Sequence, residues 1–505
     1  MRSQPQAQQN AQPKEQPRQI RTLLVANRGE IARRVMRTAG AMGIRTVAVH
    51  SDPDAGAPHV ADADLAVPLG GASAAESYLD QSKILDAARR TGADSVHPGY
   101  GFLAENAGFA QACAAAGLTF VGPSPEAIAT MGVKHTAKQV AAQAGVPVLA
   151  GGQITADDPR DWRAAARGVG YPLMVKASAG GGGTGMRLVE DDRDGAALTA
   201  AVESARREAR GAFGDDRVFL ERYLRGPRHI EVQIFGDSGG HVVHLLEREC
   251  SIQRRHQKVV EEAPSPAVSP QLRAGMGGAA VALAEALGYV GAGTVEFLLD
   301  ERGEFYFLEM NTRLQVEHPV TEEITGLDLV RLQLEIAQGH PLPVTQADVR
   351  GRGHAIEVRV YAEDPARGFA PGAGPLWTYE RAVTSGATPG IRYEDGVASG
   401  GELSTFYDPL LGKVIAHAAS RTEAARRLRR ALARMRLHGP ATNRDFLVAL
   451  LDDPDFLAGE TSTAYIGAHP ELLSPDPSLS RTPGSPLAAH LAAAIAVRAH
   501  RRRAA

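Results

Sequence analysis

Residues 291–313 read GAGTVEFLLDERGEFYFLEMNTR. Two runs rich in β-branched and aromatic residues flank Asp300–Gly303, a turn composition, so the segment predicts an antiparallel β-hairpin. A hairpin centred between Arg302 and Gly303 sets Glu296 opposite Glu309. Like charges directly across two strands repel, and the neighbours Phe297, Leu298, Phe307 and Leu308 place both carboxylates near a core. Such a pair needs a shared proton or a cation. With the Asn311 amide two residues on, the set offers only oxygen ligands. That suits Mg²⁺, which also takes oxygens from substrate phosphates. Two solvated strand-face glutamates are the plainer alternative.

Upstream, YPLMVKASAGGGGTGMRLVEDD (171–192) reads strand, glycine loop, strand. Gly180, Gly182 and Gly185 formally spell G-x-G-x-x-G, but no helix starts there, and the dinucleotide fingerprint needs a helix N-terminus. The Lys-Ser/Thr of a P-loop is also missing. What remains is a glycine flap whose backbone N–H groups can close on phosphates, with Lys176 serving the same ligand. A plain hairpin turn would not need five glycines in six positions.

Residues 247–266, ERECSIQRRHQKVVEEAPSP, group Arg254, Arg255, His256 and Lys258 ahead of Glu261 and Glu262. Read as one strand, Gln253, Arg255 and Gln257 face one way and Arg254, His256 and Lys258 the other. A charged surface strand is the bland alternative. TRLQVEHPVTEEITG (312–326) offers Arg313 for an oxyanion and Glu317 as a general base. Cys250 reads as a small core residue.

The wider chain has 505 residues, which at roughly 150 per domain suggests about three domains. Its 55 basic and 58 acidic residues leave a net charge of −3, which argues against bulk binding of nucleic acid or an anionic membrane. Two cysteines exclude a disulfide scaffold and multi-cysteine metal sites. Only seven basic residues are lysines: 14, 83, 134, 138, 176, 258 and 413. Lys83 and Lys138 read as surface helix positions, and Lys413 has no role that the sequence argues.

Residues 1–19 are Gln- and Pro-rich without an apolar run, a disordered leader rather than a secretory signal. Residues 20–133 open with TLLVANRGEIARRVMRTAGAMGIRTVAVHSD (22–52) and predict an open, parallel-sheet, Rossmann-like α/β domain lacking the dinucleotide glycines. Ser124-Pro125 starts a helix expected to run through Met131 to Ala144. From 350 a further unit of short strands and the helix RTEAARRLRRALARMRL (421–437) reaches 467, an α+β domain. Residues 468–505 read as a linker and basic tail. The tail's apolar stretch, 487–497, is about half a membrane span, so the expected location is cytoplasmic.

HPGYGFLAEN (97–106), KASAGGGGTGM (176–186), RRHQKVVEEAPSP (254–266), EFYFLEMNTRLQVEHPVTE (304–322) and HAIEVRVYAEDP (354–365) occur in that order. The chain thereby resembles biotin carboxylases, the ATP-grasp components of acetyl-CoA, propionyl-CoA and related acyl-CoA carboxylases, over roughly 20–467. The resemblance implies a central ATP-grasp domain over 134–345 with its flap at about 151–224, and a C-terminal biotin carboxylase domain over 350–467. It implies that ATP phosphorylates bicarbonate to carboxyphosphate, which yields CO₂ and phosphate, and that N1 of biotin is carboxylated. Lys134, Lys176, Gly182, Gly183 and His256 would hold the ATP phosphates and sugar. Glu221, Arg222, Tyr223 and Leu224, with His229 and Gln253, would frame the adenine. Glu296, Glu309 and Asn311 would hold Mg²⁺ or Mn²⁺, the two glutamates touching ATP through it. Lys258, Arg313, Gln315, Val316 and Glu317 would surround bicarbonate, with Glu317 taking its proton, and Arg359 would stabilise the biotin enolate.

No lysine has a Met neighbour, whereas the family attaches biotin in a Met-Lys-Met turn. Biotin is therefore expected on a separate biotin carboxyl carrier protein, with a carboxyltransferase that chooses the acyl-CoA. The family is often a homodimer, for which the sequence offers no independent sign. Another ATP-grasp ligase, such as half of a carbamoyl-phosphate synthase, would share flap and hairpin but not RRHQK, QVEHPVTE or Arg359. A non-catalytic ATP-binding subunit would have lost Lys258, Glu296, Glu309 or Glu317, and all four are present. One departure stands out: position 184 is Thr where the family usually has Lys or Arg. The lost flap cation predicts a raised KM for ATP without loss of turnover. Thr184→Arg should lower that KM in steady-state kinetics, and an unchanged value contradicts the prediction.

Overall fold

A computed structural model describes residues 18–154, 158–177, 186–191, 195–213, 216–382 and 390–474. Most of the leader, Gly182, Gly183, Thr184 and the tail from 475 lie outside the described residues.

The N-terminal sheet is parallel: β1 (Thr22–Val25), β2 (Arg45–His50), β3 (Leu65–Pro68), β4 (Ser95–His97) and β5 (Thr119–Phe120), in the order β3-β2-β1-β4-β5. Leu23, Leu24, Val25, Val47 and Val49 are fully buried, as continuous apolar runs in a sheet covered on both faces require. The helix Gly29–Ala41 lays Ile31, Val35 and Ala39 into that core. The loop after β4 is pinned by Asn27, whose Nδ2 donates to the carbonyls of Pro98 (2.7 Å) and Tyr100 (2.8 Å). Gly99 is left-handed there (φ 64°), and a Cβ on it would lie 2.8 Å from that Nδ2, so the close approach requires glycine. The result aims the Tyr100 hydroxyl at Glu30, at the start of the Gly29 helix.

The expected long helix from Ser124 is two helices. Ser124 Oγ does accept from Ala127 N (3.2 Å), opening Pro125–Gly132. Val133 is then extended (φ −101°, ψ 105°) before Lys134–Gln143. Gly132 and β-branched Val133 are weak helix formers, and an apolar period does not register a one-residue break. The helix predicted over 421–437 likewise stops at Arg434, and Arg436–His438 pairs as a short strand with Thr378–Glu380.

The flap strands belong to a four-stranded antiparallel sheet. Its members are β6 (Gly151–Ile154), β7 (Leu173–Ala177), β8 (Arg187–Val189) and β9 (Val218–Arg222), ordered β6-β9-β7-β8. Trp162, Ala166, Leu198, Val202 and Ala205 from two helices cover it.

The largest sheet is antiparallel and eight-stranded. It contains β10 (Arg228–Gly236), β11 (Val242–Arg254), β12 (Gln257–Ala263), β13 (Gly291–Leu299), β14 (Phe305–Asn311), β15 (His354–Tyr361), β16 (Ile391–Asp395) and β17 (Leu410–Ala418). Their order is β14-β13-β10-β11-β12-β15-β17-β16. The sheet crosses the sequence division near 345–350 through the β12–β15 pair, so the central and C-terminal segments share one scaffold. The helix Pro270–Ala286 packs Met276, Ala280 and Leu283 against one part, and Arg421–Arg434 packs Ala424, Ala425, Leu428 and Leu432 against another. Among the described residues no helix is long and apolar enough to cross a membrane.

Candidate active site

The hairpin sets Glu296 opposite Glu309 by way of a bulge. Near the turn Leu299 pairs with Phe305 and Phe297 with Phe307, a register that would bring Leu308 opposite Glu296. The irregularity at that point inserts one residue and delivers Glu309 instead, a re-aiming of the kind bulges perform beside active sites. Glu296 is buried, whereas Glu309 opens onto the cleft rather than a core. The protein mass around Glu309, then the charge of Glu296, raise its carboxyl above the ordinary value.

Glu296 sits at the hub of the cleft. Its Oε1 accepts from Lys258 Nζ (2.9 Å), Asn311 Nδ2 (2.7 Å) and Gln315 Nε2 (3.1 Å), and its Oε2 lies 2.5 Å from His229 Nε2. Burial alone would raise the Glu296 carboxyl; Lys258 and His229 overcome it and hold the group far below the usual carboxylate range. Lys258 also donates to Glu231 Oε2 (2.6 Å) and Glu317 Oε1 (2.7 Å), so one ammonium serves three carboxylates. Arg359 donates to Glu317 Oε2 (3.0 Å) and Glu261 Oε1 (2.6 Å). Against the cost of burial, Lys258, Arg359 and Arg248 hold Glu317 ionised, its carboxyl well below the ordinary value. Arg313 donates to Asn311 Oδ1 (2.9 Å), Gln315 Oε1 (3.1 Å) and Glu105 Oε2 (2.8 Å). Lys258, Glu296, Asn311, Arg313, Gln315, Glu317 and Arg359 thus form one connected cluster, with Val316 in the same loop.

The other wall is cationic. Lys176 and Lys138 both contact the buried carboxylate of Glu221, and Lys138 lies 5.0 Å from the centre of the Phe219 ring. Lys138 is therefore not the surface position its helix pattern suggested. The helix turns it onto the end of β9, and nothing local in the sequence announces that strand's approach. Burial, then the charge of Lys134, pull Lys176 down to about 8 despite its contact with Glu221. Partial burial, then Lys176, His229 and Lys134, lower His256. These side chains share one field and want an anion among them. After Glu221, Arg222 N donates to Ala150 O (2.8 Å) and Tyr223 N to Pro172 O (2.9 Å), which fixes the run toward Leu224.

RRHQK is a turn rather than a strand. β11 ends at Arg254 and β12 begins at Gln257, with Arg254 opposite Gln257 and Gln253 opposite Lys258. Arg255 and His256 are both left-handed (φ 47° and 69°). The one-strand alternation fails because the turn carries no Gly, Asn or Asp signal. Strain of this kind persists where the surroundings fix it, commonly at functional sites. Gln253 Nε2 reaches His229 Nδ1 at 3.4 Å. Cys250 is fully buried, and burial pushes its thiol well above the ordinary range.

Sequence reading missed Glu231 and Arg248, and named Glu261 without giving it a partner. Glu231 lies opposite both Glu296 and Arg248 in the sheet, and Arg248 donates to Gln233 Oε1 (2.8 Å), Thr321 Oγ1 (3.0 Å) and Thr294 Oγ1 (3.2 Å) besides contacting Glu231. Only the pairing of strands some 60 residues apart reveals that row.

A divalent cation fits this cleft. Glu296 and Glu309 face each other, Glu309 making no ion pair among the described residues, and the Asn311 amide lies beside them, an oxygen set suited to Mg²⁺. His229, Glu231 and Glu296 also bring ligand atoms within 4.8 Å of one another, but Lys258 already supplies the positive charge there.

Comparisons with known proteins agree with this architecture. Family models match for the biotin carboxylase N-terminal domain over 19–128, the ATP-binding domain of the carbamoyl-phosphate synthase L chain over 133–345, and the biotin carboxylase C-terminal domain over 357–468. A biotin carboxylase from Halalkalibacterium halodurans is 50% identical over 450 residues, 89% of this chain and 98% of that protein. The chain belongs to the biotin carboxylase family of ATP-dependent ligases.

A mitochondrial methylcrotonoyl-CoA carboxylase subunit alpha from Mus musculus is 48% identical over 459 residues, 91% of this chain. The chain spans 63% of that relative's length. The structure of a Hydrogenobacter thermophilus 2-oxoglutarate carboxylase biotin carboxylase domain dimer, with MgADP, ADP and bicarbonate, superposes with a TM-score of 0.85. It is 44% identical and covers 90% of this chain and 99% of that one. The biotin carboxylase fold thus unites the eight-stranded sheet with the flap sheet around the Lys258 cluster.

That cluster predicts a specific failure. Lys258→Met leaves Glu231, Glu296 and Glu317 without their shared cation and should destabilise the protein by about 3 kcal/mol or more at pH 7. The stranded carboxyls rise and take up protons on the folded side, so the deficit should narrow as pH falls from 7 to 5. Denaturant unfolding at both pH values checks this; a deficit unchanged with pH contradicts it.

Proposed function

We propose that this chain carboxylates N1 of biotin, using ATP and bicarbonate, as the biotin carboxylase component of an acyl-CoA carboxylase. The observation that carries the reading is the continuous contact path Glu296–Lys258–Glu317–Arg359. It joins the side of the cleft suited to phosphate and metal to the side suited to bicarbonate and biotin.

Lys134, Lys176 and His256 attract the ATP phosphates, and the run from Glu221 to Leu224, with His229 and Gln253, lines the adenine. Gly182 and Gly183, outside the described residues, would cover the phosphates with backbone N–H groups, as their sequence suggests. Glu296, Glu309 and Asn311 would hold Mg²⁺ or Mn²⁺, which neutralises phosphoryl-oxygen charge when bound. Bicarbonate is an anion and competes with Glu317 for Lys258, while Arg313, Gln315 and the Val316 backbone complete its cradle. As Lys258 turns toward substrate, Glu317 loses a positive neighbour and its basicity rises. It then takes the bicarbonate proton while a bicarbonate oxygen attacks the γ-phosphorus and ADP leaves. Carboxyphosphate breaks into CO₂ and phosphate, the phosphate takes the proton from N1 of biotin, and N1 then bonds to the CO₂ carbon. Arg359, already held against Glu261 and Glu317, faces the ureido oxygen as negative charge develops there.

None of the seven lysines lies beside a methionine, so biotin would reach this cleft on a carrier lysine outside the residues described. A carboxyltransferase would then choose the acyl-CoA; the methylcrotonoyl-CoA and propionyl-CoA carboxylase relatives support an acyl-CoA assembly. The dimeric Hydrogenobacter domain supports a homodimer.

The test is ATP hydrolysis with and without bicarbonate and free biotin. Hydrolysis should require bicarbonate and rise with biotin, and Glu309→Gln should lower kcat by about 100-fold. Bicarbonate-independent hydrolysis, or full activity in Glu309→Gln, contradicts the assignment.

A further inference from the structure

Lys413 is the lysine whose sequence context argues no role, yet it is fully buried, with 0% of its surface exposed. It lies on β17, opposite Arg359 on β15 and Glu394 on β16. Its ammonium makes its shortest contact by donating to the backbone carbonyl of Val316. Glu30 Oε1 is 3.3 Å away and Glu357 Oε1 3.8 Å away. One cation from the C-terminal segment therefore joins the start of the Gly29 helix to the loop that carries Gln315, Val316 and Glu317.

That loop needs an external hold. Glu317 occupies the N-cap position of the helix His318–Thr325, but its side chain makes no capping bond, being committed to Lys258 and Arg359. His318 Nδ1 steadies Gln315 O from one side at 2.7 Å. The Val316 carbonyl, one peptide before Glu317, is held by Lys413. If Lys413 served only as a counter-ion, its closest approach would be to a carboxylate. Instead both oxygens of the fully buried Glu357 lack a hydrogen-bond partner among the described residues, while the lysine reaches past them to a neutral carbonyl. We infer that Lys413 is a positioning residue: by holding the Val316 carbonyl it sets the turn that presents Glu317 and the bicarbonate cradle. This rests on reading that turn as the bicarbonate site.

The test compares Lys413→Met, which keeps length but removes the donor, with the triple variant Lys413→Met/Glu30→Gln/Glu357→Gln. The triple variant also removes the two carboxylates that the lost cation would strand, so the question survives if the single variant does not fold. Steady-state ATP hydrolysis is measured as a function of bicarbonate and, separately, of ATP. In the triple variant, and in the single variant if it folds, kcat/KM for bicarbonate should fall roughly 100-fold, as a misplacement of about 1 Å does, while KM for ATP moves less than about threefold. A merely structural role would not separate the two substrates. Wild-type kcat/KM for bicarbonate in the triple variant would show that Lys413 only balances charge and would overturn the inference. Equal losses toward ATP and bicarbonate would overturn it too. A wild-type enzyme that hydrolyses ATP without bicarbonate is a separate result, which removes the reading of the site and this inference with it.

Discussion

One ammonium, Lys258, is shared among Glu231, Glu296 and Glu317 at 2.6–2.9 Å, and the candidate active-site cleft is organised around that contact. Carboxylates this deep are tolerated only when paired and hydrogen-bonded. The sheet supplies the pairing by register. Glu309, Glu296, Glu231 and Arg248 form a row across β14, β13, β10 and β11; Glu261 faces Glu357 across β12 and β15; Arg359, Lys413 and Glu394 face one another across β15, β17 and β16. Antiparallel pairing stacks residues from distant parts of the chain with ångström accuracy, so the rigid element carries the chemistry and the loops complete it.

The rows are not charge-balanced. Glu30, Glu231, Glu261, Glu296, Glu317 and Glu357 are buried against the four cations Arg248, Lys258, Arg359 and Lys413. Two of these carboxyls are pushed upward. Burial, opposed by Arg359, brings the Glu261 carboxyl up to about 7, and burial raises Glu357 well above its ordinary value. Glu317 stays ionised because Lys258 and Arg359 both face it. The carboxyls of Glu261 and Glu357, pushed up, thus lie behind Arg359, while those of Glu296 and Glu317, held down, face the cleft. In the proposed reaction an incoming bicarbonate would meet cations already paired with carboxylates and displace them, which would tie its binding to the basicity of Glu317.

The hairpin at 291–313 was legible because its two strands are neighbours in sequence, and the opposition of Glu296 and Glu309 followed from one turn. The bulge that achieves it was not, since no residue type marks the insertion. The parallel N-terminal sheet was legible from its apolar runs. The eight-stranded sheet was hidden, because its order depends on pairings between segments separated by up to about a hundred residues, such as Glu261 with Glu357. RRHQK misled for the opposite reason: a turn held by its surroundings in left-handed Arg255 and His256 leaves no glycine behind. Lys138 and Lys413 looked unremarkable in sequence because their partners, Glu221 and the Val316 carbonyl, come from other elements.

The fate of labelled carbon decides whether this chain carboxylates biotin. The protein is incubated with ¹⁴C-bicarbonate, ATP, Mg²⁺ and free biotin, and the biotin is recovered at alkaline pH. Acid-labile label should appear on biotin in proportion to the ADP formed. ADP formation with no label on biotin would contradict that activity.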